Sequence, residues 1–501
     1  MCAPGSEGLG QRMLSETDIL IALATIALLG IGGQWVGRRL GFPSLLVLLP
    51  AGLIAGDVLG LVEPEKLLGE LLFPLVTLLV SLLLFQAGLQ LRFSELPAAA
   101  RGPVIRLLTI GLVVTFIGAS LAALAVLDVE TGLAWVLGAI IVVSGPTVVG
   151  PLLSTMRVRG PTDAVLNYEG TFLDPLGATL GVVVLSFVIA EDKDEVYPVL
   201  QVLGRIGLGV SVGLIAAAVL VFVLTRYWLT FKMEAAVAVM LAVVAFAFSD
   251  ALLSEAGLFA TLTLGVALAN QRQVSFRPVK IFGETLEVLI IGALFILLGA
   301  LVTIDGLREY WWQILLLVAA LVLVVRPLTA LIALLGSPIA WRDRAMIGGV
   351  DPRGIVAAST AAAFTGTLEA ADLESDFLLP TVFGVILGTG VIYGLGARPL
   401  AKALGVVKPP ADGVGLVGHD PWLLDLGARL QACGVRVLVI MAKAPSSARD
   451  DQDRSGVPVL SLVDSDARVR GAMLDADVGQ VAICAPANTA LDLVHAHLMD
   501  R

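Results

Sequence analysis

The sequence carries little charge, and this scarcity limits the kinds of protein it can be. Only 15% of the 501 residues are charged, whereas an average soluble domain has about 25%. Because 57% of the residues are hydrophobic, most of the chain must contact lipid, which excludes a soluble globular protein and a disordered one. The net charge of -10 excludes nucleic acid as a partner, since an acidic protein repels phosphate.

Cysteine and histidine are also scarce. The 3 cysteines are too few for a disulfide framework, and all 3 histidines lie after residue 412, so the apolar part of the chain has none for metal binding or acid–base chemistry. The sequence also lacks a P-loop and a carbonyl filter of the TVGYG type. These absences argue against a membrane enzyme, a sensor and an ATP-driven pump, and they leave a cation channel as a weaker alternative.

Long apolar runs are what the sequence has instead, and they recur up to residue 402. We count about thirteen runs near the 20 residues that cross a bilayer, which predicts an all-α polytopic membrane protein in contact with membrane lipid. The eighth and ninth runs, at residues 235–247 and 258–269, are the shortest. The first run has no basic flank or cleavage-like site, so we expect no signal peptide.

Basic residues concentrate in alternate connections between these runs. They are Arg38 and Arg39; Arg92 and Arg101; Arg157 and Arg159; Arg226 and Lys232; Arg272, Arg277 and Lys280; Arg342 and Arg344; Arg398 and Lys402. By the positive-inside rule these connections are cytoplasmic. We therefore expect a multi-pass protein of the cell membrane with its N-terminus outside and its C-terminus inside.

A polar cluster at residues 167–175 interrupts the sixth run, where each charge is costly and is a functional candidate. Glu169 and Asp174 are five residues apart, about 140° around an ideal helix, so they should face different partners. Thr171 lies one turn before Asp174, and Pro175 removes the amide that would bond the carbonyl of Thr171. A carboxylate with a free carbonyl and a hydroxyl suits a small hard cation.

Two further runs contain Gly and Pro interruptions. The fifth has SGPTVVGP at 144–151, and the twelfth has GGVDPRG at 348–354. Interrupted helices at corresponding places in two halves predict an inverted-repeat secondary transporter with broken helices that cross at its site. Arg326, inside the eleventh run, needs an acidic partner or a route to the membrane surface. The alternative is that the breaks are ordinary and the acids only neutralise Arg326 and Arg353, but three polar clusters coincide with two symmetric breaks.

Three stretches carry a resemblance to a known family: SGPTVVGPLL at 144–153, EGTFLDPLGA at 169–178 and DPRGIVAAS at 351–359. FQAGL at 85–89 is similar to a further family stretch. On these residues the chain from 15 to 402 resembles the monovalent cation:proton antiporters of the NhaP and sodium/hydrogen exchanger kind. The family often has Asn before the essential aspartate, where this chain has Leu173.

The resemblance implies roles for individual residues. Asp174 would bind cation and proton in turn, and Thr147 would lend ligands from the crossing, beside Thr171. Glu169 would form a structural ion pair with Arg353, and the supporting residues would be Asp351, Arg326 and Gly145. One titrating carboxylate implies electroneutral exchange. We expect sodium as the cation, with lithium or potassium as alternatives, no resident metal and a homodimer.

The composition changes after a linker at residues 403–411. Residues 412–501 read as a small α/β Rossmann-like domain, with strands at 413–417, 435–441, 457–463 and 480–484 and helices at 422–432, 467–474 and 488–498. This tail resembles the cytoplasmic regulatory domain called RCK or TrkA-N, which implies gating of transport.

The glycines of the phosphate loop in such a domain would be Gly413, Gly415 and Gly418. Asp420 and Leu423 follow where glycines are needed, and a carboxylate at the helix N-terminus competes with pyrophosphate. We therefore expect the tail to serve ligand-free docking or dimerisation rather than nucleotide binding, and we expect no required cofactor.

Overall fold

The computed structural model describes residues 15–40, 43–94, 96–145, 148–150, 152–153, 158, 161–189, 197–407, 413–418, 422–441, 458–461 and 478–484. The chain folds into two units, Met1–Val407 and Lys408–Arg501. The division falls inside the linker predicted at residues 403–411.

The first unit is helical in its described residues. Its helices up to the first interruption are α1 (Glu16–Leu40), α2 (Leu45–Leu53) with a π-helical continuation (Ile54–Val58), α3 (Pro64–Leu68) with a 3-10 turn (Gly69–Leu71), α4 (Leu72–Leu89), α5 (Ala98–Arg106), a π-helical segment (Leu107–Gly111), α6 (Leu112–Val126) and α7 (Thr131–Val142).

The remaining helices of this unit follow in chain order. They are α8 (Pro161–Ile189), α9 (Tyr197–Thr225), α10 (Phe231–Leu252), α11 (Ala256–Asn270), α12 (Arg277–Ala300), α13 (Ile304–Glu309), α14 (Trp311–Ala320), a π-helical segment (Leu321–Val325), α15 (Arg326–Ala333), α16 (Trp341–Gly348), α17 (Ile355–Ala370) and α18 (Leu378–Leu404).

Nine helices in the described part of the chain are long and apolar enough to cross a membrane. Four shorter apolar helices accompany them: Leu45–Val58, Thr131–Val142, Ala256–Asn270 and Ile355–Ala370. The prediction of a multi-pass helical protein is confirmed, whereas the count of thirteen crossings stays a prediction. The eighth run is longer than predicted, since its helix has an apolar span at Met233–Leu252.

Small residues let several helices pack backbone to backbone. A Cβ at Gly30 of α1 would lie 3.0 Å from the carbonyl carbon of Gly292 in α12. A Cβ at Gly52 of α2 would lie 2.5 Å from the carbonyl oxygen of Ile296. In lipid, where apolar surface gains nothing from contact with other apolar surface, such close approach is a main source of helix association.

The fifth and twelfth runs are both broken, as predicted. After α7 the chain is non-helical at residues 143–145 and helical again at 148–150 and 152–153. After α16 it is non-helical until α17 begins at Ile355. Ser144 and Arg353 form an antiparallel bridge, and a Cβ at Gly354 would lie 2.5 Å from the Cα of Gly145. The two interruptions therefore cross in contact.

A second feature is shared by the two halves. The fourth and eleventh runs each contain a five-residue π-helical segment, Leu107–Gly111 and Leu321–Val325. The two helices also contact each other, through a hydrogen bond of 3.0 Å between the hydroxyls of Thr115 and Thr329. Matching irregularities in corresponding helices favour the predicted inverted repeat.

The described residues of the second unit contain a four-stranded parallel sheet and one helix. The elements are β1 (Gly413–Gly418), α19 (Trp422–Ala432), β2 (Val437–Met441), β3 (Val459–Ser461) and β4 (Val478–Cys484). The strand order is β3-β2-β1-β4, and each neighbouring pair is parallel. The predicted strands and first helix are present, while helices 467–474 and 488–498 lie outside the described residues. The assignment as a Rossmann-like regulatory domain stays a prediction.

Candidate functional site

Helix α8 carries the polar cluster across the first unit. It runs for 29 residues and continues through Pro175 without a break. Glu169 and Asp174 are both 2% exposed. Their spacing turns them to different sides of the helix, so the two buried carboxylates have different surroundings.

Glu169 forms a buried ion pair with Arg326, the first residue of α15. The guanidinium Nη1 lies 2.6 Å from Oε1 and Nη2 lies 2.9 Å from Oε2, which is a bidentate pair. The Nε of Arg326 donates to the carbonyl of Ile347 at 3.1 Å. Charge-assisted bidentate pairs are among the strongest polar contacts in proteins, and this one satisfies most of the Arg326 donors.

The predicted pair between Glu169 and Arg353 is wrong. Arg353 is 2% exposed, and its Nη2 lies 2.8 Å from Oδ2 of Asp351 in the same interruption. Helix α15 brings Arg326 to the side of α8 on which Glu169 lies, so Arg326 occupies the place assigned to Arg353. Of the two alternatives predicted for Arg326, an acidic partner or a route to the membrane surface, the structure shows the acidic partner.

The four residues form one buried charge network, which consists of Glu169, Arg326, Asp351 and Arg353. Arg326 links the two pairs, because its Nη1 also lies 3.7 Å from Oδ2 of Asp351. All four side chains are 3% exposed or less. Two carboxylates and two guanidiniums have no net charge, which limits the large cost of removing charges from water.

Arg353 also holds the end of the first broken helix. Its Nη1 donates to the carbonyl of Val142 at 3.1 Å, and its backbone NH donates to Oγ1 of Thr389 at 3.3 Å. Val142 is the last residue of α7, where carbonyls lack an intrahelical partner and the helix dipole is negative. A guanidinium at this position stabilises the exposed end of the half-helix.

Within the residues that the structure describes, Asp174 is buried without an ion-pair partner. Its Oδ1 has no hydrogen bond within the part of the chain that the structure describes. Thr171, one turn before it, is 3% exposed and donates from Oγ1 to the carbonyl of Asn167 at 2.8 Å. An ionised carboxylate without compensation is very costly to bury, so Asp174 is suited to hold a proton or a cation.

Asp174 lies close to the crossing. One turn after it, a Cβ at Gly177 would lie 3.3 Å from the Cα of Val143, the residue that follows α7. Gly145 lies at the crossing, as predicted, whereas Thr147 lies outside the described residues. Within those residues, no group of three or more His, Cys, Asp or Glu could hold a metal ion.

Sequence reasoning missed two contributors to this site, the carbonyl of Val142 and the hydroxyl of Thr389. Val142 gave no signal, because its function comes from its position at a helix end rather than from its side chain. Thr389 did give a signal, because it is a polar residue inside the last apolar run. In the structure it is 1% exposed.

In the second unit, the three glycines predicted for nucleotide binding, Gly413, Gly415 and Gly418, all lie on β1. The residues that follow, 419–421, lie outside the described part of the chain, so the predicted phosphate loop stays a prediction.

Comparisons with known proteins place these features in a family. Residues 21–403 match the family described as sodium/hydrogen exchanger, transmembrane. A K(+)/H(+) antiporter NhaP of Alkalimonas amylolytica is 25% identical over 404 residues, which are 79% of this chain and 68% of the relative. A Na(+)/H(+) antiporter 1 of Methanocaldococcus jannaschii is 22% identical over 427 residues, or 78% of this chain and 98% of the relative.

Solved structures show the same fold. The sodium proton antiporter MjNhaP1 from Methanocaldococcus jannaschii at pH 8 matches with a TM-score of 0.64 and 22% identity, covering 77% of this chain and 97% of that chain. A second structure of MjNhaP1, from an electron-microscopy map, matches with a TM-score of 0.67 over 79% of this chain. The alignments cover most of both proteins.

Proposed function

This chain belongs to the sodium/hydrogen exchanger family, a family of transporters rather than enzymes, and we propose that it exchanges sodium for protons across the cell membrane. Asp174 is the carboxylate that binds the two ions in turn. The observation that carries the proposal is the burial of Asp174, 2% exposed, with Oδ1 free of any hydrogen bond within the described residues.

The site follows from the chemistry of the residues around Asp174. Thr171 offers two hard oxygen ligands one turn from the carboxylate, its hydroxyl and its backbone carbonyl. The carbonyl is free of the usual helical hydrogen bond, because Pro175 has no backbone NH to donate to it. Thr147 supplies a further ligand from the broken helix. Glu169 and Arg326 form the structural ion pair of the core and take no part in ion binding.

Exchange results from competition for one carboxylate. Because a buried ionised Asp174 needs a counter-charge, the site returns across the membrane only with a proton or a cation bound. The broken-helix core rocks against the other helices and exposes the site to each side in turn. The charge network has no net charge, so Asp174 is the group whose charge changes, which supports exchange of one cation for one proton.

The cation and the tail complete the proposal. Similar proteins include one named for potassium and one named for sodium, so potassium is the alternative cation.

The N-terminus lies outside and the tail is a cytoplasmic regulatory domain that acts without a bound nucleotide. The transporter works as a homodimer.

The test is a pH-gradient dequenching assay in proteoliposomes, with sodium, lithium and potassium salts added in turn. We expect sodium to dissipate the gradient, and we expect the rate to be unchanged when a potassium ionophore clamps the membrane potential. Dissipation by potassium alone would select the alternative cation. Failure of all three cations would contradict antiport.

A further inference from the structure

Arg353 depends on Asp351 for charge compensation, whereas Arg326 does not. Arg326 has both oxygens of Glu169 at 2.6 and 2.9 Å, and its distance to Asp351 is 3.7 Å. The Nη2 of Arg353 has the Oδ2 of Asp351 at 2.8 Å, its Nη1 donates to the Val142 carbonyl, and its backbone NH donates to the Thr389 hydroxyl, both of which are uncharged. Loss of the Asp351 charge would leave the network with one net positive charge, centred on Arg353.

This charge lies close to the ion site. Arg353 binds the carbonyl of Val142, and the next residue, Val143, packs against Gly177, one turn after Asp174. One or two helical turns are about 5 to 10 Å. In a buried region, where the effective dielectric constant is about 20, a unit charge at such a distance changes ion affinity by at least about tenfold.

The charged and titratable groups around Asp351 come from three other elements and from its own. They are Arg353 beside it, Arg326 of α15, Tyr393 of α18, and Glu169 of α8 through Arg326. Asp351 is 3% exposed, and its Oδ1 has no hydrogen bond among the described residues. Among the described residues, the charged groups that hold Asp351 in place are the two arginines, both through Oδ2.

We propose that Asp351 is a positioning residue that sets the affinity of the Asp174 site for cations and protons by neutralising Arg353. The inference rests on the proposed function. Asp351 is not an ion ligand, and it acts only through the charge and the position of Arg353.

Competition makes the expected effect depend on pH. Proton and sodium both carry one positive charge and bind the same carboxylate, so an added positive charge weakens the two affinities by the same factor. At alkaline pH, where protons do not compete, the KM for sodium rises by that factor. At acidic pH, weaker sodium binding and weaker proton competition cancel, so the KM is unchanged. As the pH falls, the KM for sodium begins to rise where protons start to compete. In the variant this point lies at a lower pH than in the wild type.

The experiment measures the KM for sodium in proteoliposomes between about pH 6 and pH 9, where competition is resolved. We expect Asp351→Asn to raise the KM at least about tenfold at the alkaline end and to leave it unchanged at the acidic end. Arg353→Gln should lower the alkaline KM, and Asp351→Asn with Arg353→Gln should return towards the wild-type profile. Asp351→Glu keeps the charge and should keep that profile.

Asp343→Asn is the matched control. It makes the same chemical change in α16, where Asp343 accepts a hydrogen bond of 2.6 Å from Thr162 at the start of α8. It lies outside the charge network, so its profile should be that of the wild type.

A structural role alone would change the KM or the maximal rate equally at both ends of the pH range. Such an equal change in Asp351→Asn, or an unchanged alkaline KM, would overturn the inference while wild-type competition still stands. If Asp351→Asn does not fold, an unchanged alkaline KM in Arg353→Gln overturns it. A wild-type KM that does not vary with pH would instead overturn the proposed function.

Discussion

Glu169 and Asp174 are equally buried on one helix, yet they have opposite electrostatic surroundings. Glu169 accepts hydrogen bonds from both Nη atoms of Arg326, while Asp174 has an oxygen with no hydrogen bond among the described residues. A carboxylate in a bidentate pair with a guanidinium is fixed in place, whereas a carboxylate without a charged partner can exchange its counter-ion. We therefore assign a structural role to Glu169 and propose a transport role for Asp174.

A double-mutant cycle tests whether Glu169 pairs with Arg326 rather than with Arg353. Glu169→Gln or Arg326→Gln alone strands a buried charge and should cost about 3 to 5 kcal/mol, whereas the double variant should cost less than the sum. The measurement is thermal unfolding in detergent. A cycle with Arg353→Gln serves as the control, since it should show weaker coupling. Stronger coupling of Glu169 to Arg353 would contradict the pairing.

A second prediction concerns Glu255, in the connection between α10 and α11. Burial raises its pKa from 4.5 to about 7, the Asp250 carboxylate adds to the rise, and Arg205 opposes it. Between about pH 4.5 and 7 the folded protein then binds the proton more firmly than the unfolded chain. The free energy of unfolding is therefore greatest below this range and falls by about 3 kcal/mol as the pH rises through it.

Glu255→Gln should remove this contribution, because the amide does not titrate. The check is the unfolding temperature of the wild type and the variant from about pH 5 to pH 8. The difference between them should grow in favour of the variant as the pH rises and then level off. Parallel curves would show that Glu255 does not titrate in this range.

At the scale of elements, the crossing of the two broken helices depends on glycine at one contact. A Cβ at Gly354 would lie 2.5 Å from the Cα and 2.9 Å from the backbone nitrogen of Gly145, and a backbone cannot move away as a flexible side chain can. We expect Gly354→Ala to separate the two chains, lower the exchange rate more than about tenfold and lower the unfolding temperature.

Gly366→Ala in the same helix, α17, is the matched control. A Cβ there would meet nothing within 4 Å, so the variant should keep its activity and gain up to about 1 kcal/mol from helix propensity. Wild-type exchange by Gly354→Ala would show that the crossing tolerates separation.

The sequence predicted the elements better than it predicted their contacts. Gly and Pro located both breaks, because they act on their own backbone. Pro175 did not break α8, since neighbouring helices support prolines in membrane helices. The partner of Glu169 could not be predicted, because the choice between Arg326 and Arg353 depends on how α15 approaches α8. Apolar runs located all four described strands of the tail to within a few residues.

In the first unit as a whole, four buried charged residues surround the region of Asp174. Under the proposed function, the charge network of Glu169, Arg326, Asp351 and Arg353 stays fixed, and Asp174 is the group that changes its bound ion. The rest of the first unit holds this arrangement within the membrane. We therefore assign the charges of Glu169 and Arg326 to structure, those of Asp351 and Arg353 to the setting of ion affinity, and the charge of Asp174 to transport.

The most direct test of the central claim, that cation and proton compete for Asp174, is proton release on cation binding. Sodium chloride is added to the purified protein in weakly buffered detergent, and the released protons and bound sodium are counted. The wild type should release about one proton for each sodium bound, because the cation displaces the proton of one carboxylate. Asp163→Asn, an exposed position on the same helix, should behave like the wild type. Asp174→Asn should release none, and release equal to the wild type would contradict the account.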